Sequence, residues 1–129
     1  MKKLFLPLPA LALGMIGNSV SSQVTQPAME LHRAGELGAT HAADGRVQRR
    51  MQGSTVGLIR VEWPAGTRTT PHNHANELIV LLVEGRLKAF SGATEFTLEP
   101  GDVVVVPAYV EHSYEALEDS VTVEAAGPG

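Results

Sequence analysis

From Arg46 onward the chain is a series of short apolar or alternating runs, each closed by turn residues. The runs are Arg46–Met51, Val56–Trp63, Glu77–Val83, Arg86–Ser91, Glu95–Leu98, Val103–Val106 and Ser120–Glu124. Between them stand Gly53–Ser54, Pro64–Ala65–Gly66, Glu84–Gly85, Ser91–Gly92 and Glu99–Pro100–Gly101–Asp102. Val, Ile, Thr and Phe dominate the runs, as pleated, half-buried strands prefer. No stretch after Asp44 carries a long apolar period of a helix. Short strands at this spacing predict an all-β sandwich or barrel. Closing such a sheet removes its exposed edges.

Length and composition bound the rest. A chain of 129 residues holds one core, too little for two ordinary domains. The sequence is 43% apolar and 19% charged, the profile of a globular domain. A net charge of −4 gives a phosphate backbone or anionic membrane surface no electrostatic hold, so no nucleic-acid partner is expected. The cluster Arg46, Arg49 and Arg50 reads as a solvated strand face. There is no cysteine, which excludes disulfides, thiolate nucleophiles and Cys-based zinc sites. Any metal must be held by His, carboxylate or amide groups.

The N-terminus has its own character. Lys2 and Lys3 precede an apolar run from Leu4 to Ile16, interrupted by Pro7 and Pro9, and small polar residues follow from Asn18 to Ser22. That order is a secretory signal peptide over residues 1–22, cut after Ser21 or Ser22. The run is too short for a stable membrane anchor. The expected location is periplasmic or secreted, with a cytoplasmic arm as the alternative. Residues 23–45 form an N-terminal arm in which Met29–Leu37 fits a short helix or an edge strand. His32 and His41, in the arm, read as surface residues.

The residues with chemistry lie further on. His72 and His74 follow a Pro-Ala-Gly turn. On a strand, residues i and i+2 share a face, so both imidazoles can reach one metal ion. Later, Gly101 to Pro107 ends in a bend, and His112 follows. Tyr114, two residues on, faces the same cavity as a candidate catalytic hydrogen-bond donor, or else is a core aromatic.

These residues resemble the two motifs of the cupin superfamily. The first motif is carried by Gly66, five residues, His72, Asn73, His74, then Glu77 and Gly85. The second is carried by Gly101, five residues, Pro107, Tyr109 in place of a glycine, His112, and Ala116 in place of an asparagine. The resemblance covers about Arg46 to Val123. It implies a single jelly-roll barrel of antiparallel strands over residues 46–125, preceded by an irregular N-terminal arm. It also implies a divalent metal (Fe, Mn, Ni or Zn) held by two histidines and a carboxylate of the first motif and a histidine of the second.

One position departs from that pattern. Counted back from Gly85, the carboxylate ligand should stand at position 78, which is Leu78; the acid is one residue earlier, at Glu77. Two arrangements follow. In one, His72, His74 and His112 form a three-histidine site with Leu78 as an apolar wall. In the other, a bulge between His74 and Glu77 turns Glu77 inward as a further ligand. The resemblance implies a metal-dependent enzyme on a small organic molecule, a dioxygenase or else a lyase or isomerase. The alternative is a non-catalytic binding protein with a degenerate site. The apolar outer face of Ile79, Leu81 and Val83 calls for cover, and a homodimer is expected.

Overall fold

The computed structural model describes residues 26–128 and, before them, positions 7, 9, 14 and 17. The expected signal segment lies almost wholly outside the described residues. In the arm, the ambiguous stretch becomes a single 3-10 turn, Ala34–Glu36. A short strand, β1 (Ala39–His41), follows it.

Eight further strands are described: β2 (Val47–Gln52), β3 (Gly57–Trp63), β4 (Leu78–Glu84), β5 (Leu87–Ser91), β6 (Thr94–Leu98), β7 (Val103–Val106), β8 (Ser113–Ala116) and β9 (Ser120–Ala126). They form a six-stranded sheet in the order β1-β2-β3-β9-β4-β7 and a three-stranded sheet in the order β6-β5-β8. Every strand pairing is antiparallel. This is the all-β jelly-roll barrel that the strand spacing and the motifs predicted. Two strands escaped the sequence pattern. β1 and β8 are three and four residues long, and neither Ala-Thr-His nor Ser-Tyr-Glu-Ala carries an apolar run.

Alternation defines the interior. In β3, Ile59, Val61 and Trp63 are buried, while Leu58 and Arg60 are exposed. In β4, Leu78, Val80 and Leu82 are buried, and Ile79, Leu81 and Val83 face outward. The opposite sheet adds Leu87, Ala89 and Leu98. Each fully buried aliphatic contributes on the order of 1.5–3 kcal/mol relative to exposure. β9 inverts the usual pattern. Its register sets Ser120, Thr122 and Glu124 beside Trp63, Val61 and Ile59, so its polar residues point inward. The same register fixes the inward side of β2, where Gln48 and Arg50 lie opposite Val61 and Ile59.

Candidate metal centre

Backbone pairing brings the two histidine motifs together. Ahead of the histidines, the segment from Gly66 runs antiparallel to β8, with Gly66 and Thr69 donating to the carbonyls of Ala116 and Tyr114 at 2.7 and 3.0 Å. His72 and His112 then exchange both backbone bonds, at 3.0 and 2.9 Å, in a bridge outside the named strands. A pair bonded in this way carries its side chains on one face. Tyr109 donates to the carbonyl of His74 at 2.6 Å and so ties the second motif to the other histidine. His72 and His74 therefore converge without lying on a regular strand, contrary to the parity expected of them.

The three rings face one another with centroid separations of 4.8, 4.5 and 5.1 Å. Their donor nitrogens all lie within 4.8 Å of each other. The same local device orients two of the rings. His72 Nδ1 donates to the Thr70 carbonyl at 2.7 Å, and His112 Nδ1 donates to the Val110 carbonyl at 2.9 Å. A carbonyl only accepts, so each bond needs the proton on Nδ1 and leaves the Nε2 lone pair for a metal. His112 is buried, and its Nε2 has no partner. Buried polar atoms are normally satisfied, so this lone pair is the observation that fits a missing ligand.

Two of the rings are pushed toward the neutral form. His74 titrates below the ordinary imidazole range because of burial first, with His72, His112 and Arg50 adding repulsion. Burial also lowers His112; the Val110 carbonyl opposes the shift and His72 reinforces it. Neutral imidazole is the metal-binding form.

A cavity of about 430 Å³ opens onto the triad. Leu78 is buried and lines it, the apolar wall of the three-histidine arrangement. Glu77 is exposed and is not among the converging donors. The register shift that β4 does contain falls between Leu82 and Glu84, beyond the stretch where a bulge would redirect Glu77. Tyr114 is buried at 4% exposure and stands edge-on to Trp63 and His112 at 5.8 and 5.6 Å. Its hydroxyl has no partner. Burial, and then the charge of Glu124, push the phenol well above its ordinary range, so the hydroxyl stays protonated and able to donate a hydrogen bond.

Glu124 is the cavity residue that sequence reading missed. Burial raises its carboxyl above the usual range, opposed in part by Thr122 and by the charges of Arg46, Arg50 and His72. A directed chain ends on it. The Trp63 indole donates to Thr122 Oγ1 at 2.9 Å, and Thr122 donates to Glu124 Oε1 at 3.3 Å. Indole can only donate, so the hydroxyl proton turns to Glu124 Oε1 and leaves Oε2 to hold or release a proton. The arginines also need correction. Arg49 faces outward to Glu62 at 3.6 Å. Arg46, just before β2, is half-buried in the cavity wall, and Arg50 lines the cavity mouth while remaining exposed, on the side of β2 that the β2–β3 register sets opposite Ile59.

Two antiparallel sheets with an imidazole triad at one cavity define a jelly roll with a candidate metal site. The cupin domain family matches residues 59–125, and the chain belongs to that family. It is a cupin with a candidate three-histidine metal site. No curated protein matches the sequence. Among solved structures, an RmlC-like cupin from Shewanella frigidimarina is similar over 79% of this chain and 93% of its own, with a TM-score of 0.72 at 14% identity. KdgF from a Halomonas species is similar over 78% of this chain and 95% of its own, with a TM-score of 0.71 at 23% identity. A variant of salicylate 1,2-dioxygenase from Pseudoaminobacter salicylatoxidans is similar over 67% of this chain but 27% of its own, with a TM-score of 0.64 at 23% identity. At these identities the likeness is one of fold.

Proposed function

We propose that this cupin is a metal-dependent enzyme acting on a small organic molecule inside the barrel, with dioxygenase chemistry as the first choice and lyase or isomerase chemistry as the second. The buried, unpaired Nε2 of His112 within the imidazole triad carries the reading. His72, His74 and His112 would hold a divalent ion, which supplies Lewis acidity or redox chemistry when bound. Three protein ligands leave positions for substrate. The chain's own residues do the rest. Leu78 keeps one side of the site dry. Tyr114 offers a hydroxyl proton to an oxygen of the substrate, and Glu124 Oε2 can accept or return a proton. These polar groups beside the triad favour an enzyme over a storage barrel, which would need the histidines alone. Salicylate dioxygenase shares the fold, which makes oxygen chemistry the first to screen.

The test is oxygen uptake and product formation by protein loaded separately with Fe, Mn, Ni or Zn. Turnover that needs the metal and falls in Tyr114→Phe supports the enzyme. Tight metal binding without turnover of any substrate class supports the non-catalytic reading.

Dimerisation and export belong to the same proposal. Ile79, Leu81, Val83, Val103 and Val105 are exposed together on the paired β4 and β7 strands, a face that a second copy would cover. Light scattering on the purified chain reads the first. Cleavage near Ser21 or Ser22 in cells reads the second.

A further inference from the structure

Arg46 is built into the cavity wall with part of its guanidinium uncommitted. Asp44, in the turn between β1 and β2, accepts from the Arg46 backbone N–H at 3.1 Å and from its Nε at 3.1 and 2.8 Å. The guanidinium carbon lies 5.0 Å from the centre of the Trp63 ring. Held on one edge and stacked on one face, the side chain is 22% exposed. Among the described residues, no hydrogen bond or ion pair engages its two terminal nitrogens. Arg50 lines the same cavity and is bonded to Gln48 Oε1 at 3.0 Å. Two guanidinium groups on one wall disfavour a cationic ligand there, and a neutral ligand would leave the Arg46 fork unused. A carboxylate fits that fork with two parallel bonds.

We propose that the cavity takes a small organic carboxylate, received by Arg46 with Arg50 adding charge beside it, so that the rest of the molecule faces His72, His74 and His112. This deepens the metal-enzyme reading and rests on it only for the chemistry that follows binding. The volume of about 430 Å³ suits a small acid. Trp63, Leu78 and Tyr114 supply apolar walls for its carbon skeleton.

The test uses metal-free and metal-loaded protein, with butyrate, succinate and benzoate each paired against its amide. Calorimetry gives affinity. Trp63 is the single tryptophan and lies under Arg46, so its fluorescence reports binding of the two aliphatic acids there. At least one acid should bind metal-free protein about tenfold or more tightly than its amide. Arg46→Met should abolish that preference, and Arg46→Gln, which keeps a planar group over Trp63, serves if the Met variant does not fold. Arg49→Gln removes the same charge from the outer face and should leave the preference intact. Three results overturn the proposal: no acid preferred over its amide, a preference that survives both Arg46 variants, or an equal loss in Arg49→Gln. An acid that binds only metal-loaded protein and ignores Arg46 would sit on the metal, which overturns this proposal and leaves the metal site standing.

Discussion

Tyr109 donates its backbone N–H to the His74 carbonyl at 2.6 Å from a left-handed conformation, φ 62°. It occupies the position at which the cupin motif carries glycine, and its side chain is 72% exposed. A non-glycine residue in that conformation costs roughly 1–2 kcal/mol; glycine relieves the strain but loses about 0.5–1 kcal/mol in chain entropy. Tyr109→Gly should therefore change stability by less than about 1 kcal/mol and leave metal affinity unchanged. Tyr109→Pro removes the donor and cannot adopt positive φ. It should weaken metal binding through His74, read by competition with a chromophoric chelator.

Tyr114 separates stability from function. Its hydroxyl is buried without a partner, an arrangement that costs about 1–3 kcal/mol. Tyr114→Phe should raise the melting temperature of metal-free protein while turnover of the metal-loaded enzyme falls. A lower melting temperature would mean that the hydroxyl is bonded in solution.

Glu124 gives a pH signature. Burial holds its folded carboxyl above the usual carboxylate range, so over that interval the native state holds a proton that the unfolded chain releases. That contribution is full below about 4.5 and is lost as pH rises through the folded value. Glu124→Gln keeps an acceptor for Thr122 and removes the charge. It should melt higher than wild type at pH 8, with the difference shrinking toward pH 4. His74 and His112 act in the opposite sense. Their lowered values weaken the fold as pH falls below about 6.5, and comparing the two proteins cancels this term.

Gly85 closes the first motif at φ 89°. A Cβ there would collide with the Asp119 carbonyl and with Ser120 at the start of β9. Neither backbone can yield without shifting the strand that carries Thr122 and Glu124. Gly85→Ala should destabilise by more than about 1 kcal/mol, measured by urea unfolding. Gly66, also at positive φ but with open space around it, should tolerate alanine better.

What the sequence made legible was local. Turn residues marked most of the strands, and the run Val103–Val106 matches β7 at both ends. The histidine spacing pointed to one cluster, although the reason offered was strand parity and the structure uses the His72–His112 bridge instead. Long-range register stayed hidden. Val121 and Val123 would be buried by ordinary alternation, yet pairing with β3 and β4 turns Thr122 and Glu124 inward. The same register, read across β2, sets Arg50 at the cavity mouth while leaving it exposed. No local pattern states which face of a polar strand meets the barrel.

Metal content tests the central claim most directly. Protein purified without chelators and without air, with elemental mass spectrometry on wild type and on His112→Ala, is the decisive pair. The account predicts about one divalent ion per wild-type chain and a sharp loss in the variant, with the far-ultraviolet spectrum of the barrel preserved. Wild-type protein that carries no metal and takes up none on addition, or a folded His112→Ala that retains its full complement, would contradict it.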